Sequence, residues 1–466
     1  PDPQPLMPNI LVFMVDDMRW DQMDETHSPQ GNVMALTLQE IRDTGIEMTE
    51  AYATTPICCP SRATVLSGRY AHDHGVRTNG GATPVPYGGA TAFSDGATLA
   101  TSLQAAGYRT GFVGKYLNYY NLLWTAGQTP YVPPGWEDWY GMMQHNYYTY
   151  KIVEKAQGGV PVEVSYGSDP ASYSTDVIRE KAKTMITAAA TAGQPFFVNV
   201  SFNAPLSPHP FAAPRHLGLF ASLAPWWSPN TNEVDVSDKP AWLRNKPLLT
   251  ASFIAGVEAE RRDSEEMLLA VDEAIGGSVQ HGITGIIETL QSAGVYDNTL
   301  ILFMSDHGYF WTEHRLTGKP YAYSENARIP LIIRYPRLVP LPRKDSTVAL
   351  TNDIAPTLIE LAGGPPLPNA DGKSLLRVLD GTASTWRSDF MIEGWGFKNE
   401  FAAVQQGSWK YVEYSPQAGS DRELYDLEND PYELTSLHAD PLQASRIQAM
   451  HDRLMQIRPN WPADAP

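Results

Sequence analysis

The sequence predicts an α/β protein: a large, mostly parallel sheet sandwiched by helices, followed by a small C-terminal α+β subdomain carrying an antiparallel sheet. Three observations predict it. Short apolar runs alternate with longer amphipathic stretches along most of the chain. Two of those runs end abruptly in acidic and imidazole side chains. Past residue 380 the alternation gives way to closely spaced strand-like runs and one closing helix.

The runs at 10–15, 110–113, 196–200, 299–304 and 330–334 are mostly apolar without alternation, as strands covered on both faces are. Between them, 33–43, 99–106, 175–190, 253–275 and 354–361 carry apolar residues at helical spacing. A strand that returns parallel to its predecessor needs a crossover long enough for a helix, so this alternation implies helices on both faces of a parallel sheet. The stretch Gly381-Thr-Ala-Ser-Thr reads as a linker. After it, 390–393, 401–405 and 409–414 suit antiparallel strands and 442–455 a helix. The expected division is a large domain at 1–383 and a small domain at 384–466. Residues 119–150 and 203–250 are rich in Pro, Tyr and Trp without clean periodicity, and are expected to form long ordered loops over a site. The Trp-rich loop at 225–229 suits either a rim subsite or packing.

Composition narrows the function. Of 466 residues, 52 are acidic and 34 are lysine or arginine, a net charge of -18. That balance argues against nucleic acid and anionic membranes as partners. An anionic substrate is still compatible, because a few cations in a cleft dominate the local field. No run of about 18 apolar residues is present, so no membrane span is expected. The only cysteines, Cys58 and Cys59, are adjacent and build no disulfide framework. The Pro-rich start fits the stub left by cleavage of a leader, or a chain edge.

In an open parallel sheet, ligands sit beyond the carboxyl ends of the strands. One predicted strand ends in Asp16-Asp17 and another in Ser305-Asp306-His307-Gly308. Adjacent carboxylates at a buried strand end repel one another, and a cation relieves the repulsion. A third feature is the segment Cys58-Cys59-Pro60-Ser61-Arg62-Ala63-Thr64-Val65-Leu66-Ser67-Gly68-Arg69. A helix starting near Pro60 aims free N–H groups and its positive end at residue 58, which makes an anion site. Arg62, one turn in, is placed to reach back to residue 58.

That segment matches the signature Cys-x-Pro-Ser-Arg followed by x-x-x-Leu-Thr/Ser-Gly, and the chain resembles the type I sulfatases of the alkaline-phosphatase-like superfamily over nearly its whole length. Gly114-Lys115, Pro208-His209-Pro210, the strand at 298–308, Glu313-His314-Arg315-Leu316 through Gly318-Lys319, and 424–431 carry the resemblance further. The resemblance implies hydrolysis of a sulfate monoester, sugar or aryl, by a formylglycine that a maturation enzyme makes from Cys58. It implies calcium, with magnesium second, held by Asp16, Asp17, Asp306, His307 and residue 58. It gives catalytic or sulfate-contacting parts to Arg62, Lys115, His209 and Lys319, and places Asn118 and His314 at the substrate. By the same resemblance the hydrated aldehyde attacks sulfur, the lysines and the metal neutralise the sulfate oxygens, and His209 or Lys319 protonates the leaving alcohol. Secretion or a periplasmic location is expected, with the cytoplasm as the alternative.

The chain departs from the family pattern twice. Leu117 stands where many members have a histidine, leaving Asn118 as a possible stand-in, and 278–284 interrupts what relatives run as one helix. The run Gly114-Lys115-Tyr116-Leu117-Asn118 with Tyr147-Tyr148-Thr149-Tyr150 resembles the branch of N-acetylglucosamine-6-sulfatases and heparan endosulfatases. His72, His74 and His145 read as structural. The alternative activity on the same scaffold is phosphonate monoester or phosphodiester hydrolysis.

Overall fold

The computed structural model describes residues 7–23, 33–83, 86–206, 211–395 and 399–463. A ten-stranded sheet forms its centre. Across it run Arg343–Asp345, Ile46–Met48, Leu331–Arg334, Thr299–Ser305, Asn9–Val15, Phe196–Ser201, Arg109–Gly114, Asp138–Met142, Tyr150–Lys155 and Val162–Tyr166. The five strands from Thr299–Ser305 to Asp138–Met142 are mutually parallel, and the antiparallel pairings lie to either side.

Asn9–Val15 shows why the sheet is sandwiched. Ile10, Val12 and Met14 enter one apolar cluster, while Leu11, Phe13 and Val15 enter the other. Successive side chains of a strand point to opposite faces, so an all-apolar run needs cover on both. The helices Cys58–Ser67, Leu99–Ala105 and Ile354–Ala362 cover the first face. Ser174–Thr191, Ala251–Gly276 and Ile286–Ser292 cover the second.

The predicted strands and most predicted helices form where expected, with three differences. The stretch 33–43 holds only a one-turn helix, Ala35–Thr37, continued by a wider π turn, Leu38–Arg42. Residues 119–150 are not loop throughout: Asp138–Met142 joins the sheet, parallel to Arg109–Gly114. It is buried along its length, so it carries no polar alternation to betray it. The segment 278–284 forms a tight hairpin, in which the N–H of Ser278 and the carbonyl of Ile283 bond at 2.8 Å, and the reverse pair likewise.

The second sheet is four-stranded and antiparallel: Asp389–Gly394, Phe401–Gln406, Trp409–Tyr414 and Arg422–Asp426. Met391, Ala402, Val404 and Tyr411 pack under the closing helix Ala444–Ile457. The alternate residues Phe390, Ile392, Ala403 and Val412 pack on Tyr52, Ala322 and Leu350 of the main body. Lys410, fully buried, donates to Ala322 O and to Glu433, tying this sheet to the chain just beyond Lys319.

Candidate active site

Register gathers the site. Val15 pairs with Ser305, Met14 with Ser201, and Ser201 with Gly114. The residues that follow these positions, Asp16, Asp306 and Lys115, therefore leave the sheet at one edge. On an extended strand Asp16 and Asp17 would point to opposite sides. Asp17 instead has φ 70°, a left-handed conformation that aspartate tolerates better than most residues, and both carboxylates join one cluster.

Into this edge the helix Cys58–Ser67 presents its first residue. The helix starts two residues before Pro60, so that Pro60, which has no N–H, still falls in the first turn, where intrahelical partners are missing. The N–H of Cys59 donates to Asn79 Oδ1 at 2.8 Å. Cys58 Sγ, essentially without solvent contact, lies 3.1 Å from Lys319 Nζ, 3.4 Å from His307 Nε2 and 3.6 Å from Asp16 Oδ1. Burial and Asp16 work against a thiolate, but Lys115, Lys319 and His307 outweigh them and lower the Cys58 pKa. The next thiol, Cys59, lacks that surplus of cations, and burial pushes it up to about 12. Position, not residue type, separates the two thiols.

Arg62 does not reach back to residue 58 as its spacing suggests. Its guanidinium donates to Asp306 Oδ2 at 2.8 Å, Asp16 Oδ2 at 2.7 Å and the Lys115 carbonyl at 2.7 Å, and to Ser201 Oγ. Arg62 is thus a positioning residue that fixes four strand ends relative to the helix. Ser61 Oγ adds a bond to the Asp306 carbonyl at 2.6 Å. Lys115 is fully buried against Asp16, and Lys319 pairs with Asp17. Burial alone would raise the Asp16 pKa; Lys115, Arg62 and Lys319 hold it well below the usual carboxylate range. Burial and the proximity of Asp16 raise Asp306.

The donor atoms of Asp16, Asp17, Cys58 and His307 all lie within 4.8 Å of one another. Asp306 borders this set, with Oδ1 3.5 Å from His307 Nε2 and 3.3 Å from the Asp17 N–H. The residues fit a divalent cation. Asp17 Oδ2 is buried with no hydrogen-bond partner among the described residues, which in a dry site is costly unless a cation takes it. His307 Nδ1 lies 2.8 Å from Gly308 O, so it donates there and turns Nε2 into the cluster, the arrangement that orients a ligating imidazole. Carboxylate oxygens dominate, which suits a hard ion.

His209 lies outside the described residues. Asn118 is half-buried and its Oδ1 has no hydrogen-bond partner among the described residues. His314 is not open to a ligand: it is fully buried, its ring nitrogens engage Glu233 at 2.6 Å and Asn230 at 3.0 Å, and it stacks on Tyr323. The structure makes it a packing residue where a substrate contact was expected. His72 pairs with Glu393 at 2.9 Å, and His74 bonds Thr64 Oγ1 at 3.0 Å. His145 is different. Loss of solvent, together with Lys115, keeps its pKa well below the ordinary value, and Asp16, Arg62 and Lys319 act on it too. The charges of the cluster reach it, and its place in the 119–150 segment was the one signal that could have singled it out. Trp226 and Trp311 line a crevice with Arg19, Asp21, Arg261 and Glu265.

The family model described as "Sulfatase" matches residues 8–364, most of the chain and all of this cluster. The chain belongs to the sulfatase family. A second model, the C-terminal part of N-sulphoglucosamine sulphohydrolase, matches residues 312–460. This sulfatase is 32% identical to an arylsulfatase of Volvox carteri over 92% of its own length and 71% of the relative's. It is 27% identical to the human N-acetylglucosamine-6-sulfatase, covering 97% of this chain and 84% of that one. An extracellular sulfatase SULF-1 homolog of Drosophila melanogaster is 31% identical over 84% of this chain, but only 33% of that longer protein. Among solved structures, one in complex with its substrate D-glucosamine-2-N,6-O-disulfate superposes with a TM-score of 0.79 at 22% identity, over 99% of both chains. A phosphonate monoester hydrolase from Silicibacter pomeroyi superposes at 0.74 and 20% identity, over 97% and 95%. These likenesses show a shared fold. The protein is a hydrolase of the sulfatase family, and among the described residues no helix is long and apolar enough to cross a membrane.

Proposed function

We propose that this sulfatase releases inorganic sulfate from a sulfated sugar, using residue 58 after its conversion to formylglycine, beside a calcium ion held by Asp16, Asp17, Asp306 and His307. The observation that carries the reading is the placement of Cys58 Sγ at the meeting point of Lys319, His307 and Asp16, on the first residue of a buried helix. Formylglycine at this position supplies a hydrated aldehyde whose geminal hydroxyls serve nucleophilic attack on sulfur and the later expulsion of sulfate. A bound divalent cation supplies Lewis acidity and positive charge.

The chain's own residues do the rest. The helix N-terminus and Lys115 present fixed positive charge to an anion at residue 58. Burial opposes the charge on Lys319, but Asp17, with Cys58, Asp16 and Asp306, holds it well above the ordinary lysine value, and the three carboxylates persist once Cys58 is converted. Lys319 therefore stays cationic, which suits neutralising sulfate oxygens better than delivering a proton. His145, kept neutral, is a hydrogen-bond partner for the bound ester or its leaving group. Arg62 keeps the carboxylates in place. A sugar substrate is supported by the names of the relatives. Secretion or a periplasmic location, and a formylglycine-generating enzyme as partner, belong to the same reading; extracellular relatives support the first. We take 1–383 as the catalytic unit and 384–466 as the small one, supported by the second sheet opening at Asp389.

The second reading, phosphonate monoester hydrolysis, rests on the fold neighbour of that activity. Formylglycine-bearing enzyme is assayed on N-acetylglucosamine 6-sulfate, on 4-nitrophenyl sulfate and on 4-nitrophenyl phenylphosphonate. Sulfate release from the sugar with the higher kcat/KM supports the first reading. A higher kcat/KM on the phosphonate overturns it in favour of the second.

A further inference from the structure

We propose a second metal site, for a divalent cation of the zinc class, formed by His216, Glu273 and His281. It shares no residue with the Cys58 cluster. Glu273 lies in the last turn of the helix Ala251–Gly276, and His281 in the hairpin at 278–283 that interrupts the helical run. His216, only 2% exposed, comes from the turns at 214–222, well before that helix in the chain. The three donor atoms lie within 4.8 Å of one another. His216 Nε2 is 3.2 Å from Glu273 Oε2, and His281 Nδ1 contacts Glu273 Oε1. The rings meet at 68° with centroids 5.5 Å apart, so their nitrogens approach from different directions and do not stack side by side.

Two imidazoles and one carboxylate are a zinc-type donor set, with a fourth tetrahedral position left for water. A cavity of about 420 Å³ beside His216 and Glu273 leaves room for it. The site lies at a helix C-terminus, where the backbone dipole favours a cation. The neighbouring acids are committed elsewhere: Asp272 accepts from the N–H groups of Leu36 and Thr37, and Glu288 from that of Gly285. Arg215 bonds Glu273 Oε2 at 2.7 Å and also Asp176, orienting the carboxylate. His216 Nδ1 has no partner among the described residues, so the rest of the fold makes no claim on the ring.

The hairpin explains what such an ion would do. Val279 at its tip is 99% exposed, and two backbone hydrogen bonds close the turn. With no apolar core of its own, the insertion is clasped to the body through His281. Zinc would bind the ring nitrogens that now donate to Glu273, their protons passing to the other ring nitrogen or to water, and would convert that contact into a staple.

The test is a calorimetric titration of the full, tag-free, calcium-saturated chain with zinc chloride, in the Cys58→Ala background so that no thiolate competes. One saturable site is expected, lost or weakened about tenfold or more by His281→Ala, an exposed change that leaves the fold intact. Excess zinc raises Tm by about 2 °C or more in the parent and not in His281→Ala. His216→Ala repeats the loss where it folds. Absence of a saturable site in the parent, or unchanged affinity in His281→Ala, overturns the proposal.

Discussion

Cys58 and Cys59 are neighbours in sequence, buried alike, and chemically opposed. Cys58 faces two lysines and an imidazole, while burial dominates at Cys59. On this account Cys58→Ala releases no sulfate above background while Tm stays within about 2 °C of the parent, since the residue sits at a helix end and not in a jigsaw of core contacts. Sulfate release and a thermal melt check both halves. His145→Ala is expected to lower kcat by about tenfold to a thousandfold with the fold unchanged, as for loss of one hydrogen-bonding group at a reacting centre. Unchanged kcat and KM on the sugar sulfate would return His145 to the structural role its sequence suggests. Asp16, Asp17, Cys58, Lys115, His307 and Lys319 were legible because each stands in a run whose residue types only make sense together. Arg62's partners were not, since Asp16, Asp306 and Ser201 lie 46 to 244 positions away and only the sheet register brings them near. His314 misled for the complementary reason: its motif position was right, but Glu233 and Asn230 close over it from a distant segment.

Individual elements carry their own constraints. Gly114 ends its strand with φ 106°, and a Cβ there would sit 1.8 Å from Ser201 O. Gly114→Ala therefore forces apart the two strands that deliver Lys115 and Ser201. A loss of about 2–4 kcal/mol is expected, read as a fall in the chemical-denaturation midpoint, together with weakened activity. The helix Cys58–Ser67 is braced by His74, whose Nδ1 accepts from the Val76 N–H at 3.1 Å and whose Nε2 bonds Thr64 Oγ1. Burial lowers the His74 pKa to about 3; Glu393 opposes the shift, and Arg69 and His72 add to it. The unfolded chain binds a proton near pH 6.5 that the folded chain refuses, so stability is full above that pH and falls as pH drops below it. At pH 5 the loss is about 2 kcal/mol from this residue, and His74→Gln should flatten the Tm-against-pH curve between pH 7 and 5. An unaltered slope would assign the acid sensitivity elsewhere. The elements that sequence reading caught are those with uniform apolar runs or helical spacing. Asp138–Met142, Tyr150–Lys155 and Val162–Tyr166 escaped because glycine, aromatic and charged residues mix along them, and their strand character comes from pairing with a sheet already present.

At the scale of the molecule, a chain of net charge -18 concentrates Arg62, Lys115 and Lys319 at one buried edge beside Asp16, Asp17 and Asp306, so three cations offset three carboxylates there and an anionic ester does not meet the net negative charge of the whole. The second sheet closes over the chain that follows Lys319, through Lys410 and the apolar face packed on Ala322 and Leu350. The α/β class and the antiparallel C-terminal sheet were legible from the spacing of apolar runs, because that spacing reflects which faces must be covered. The fourth C-terminal strand, Arg422–Asp426, and the strand order across the sheet were not, because order depends on which strands pair after the chain has crossed over. The central claim is that residue 58 works as a formylglycine. The measurement that tests it most directly is the mass of the peptide carrying residue 58, taken from protein produced together with a formylglycine-generating enzyme. An aldehyde or its hydrate at residue 58 is the predicted result. An intact Cys58 thiol, in a preparation where a control substrate of the same enzyme is converted and where sulfate release is nonetheless full, would contradict it.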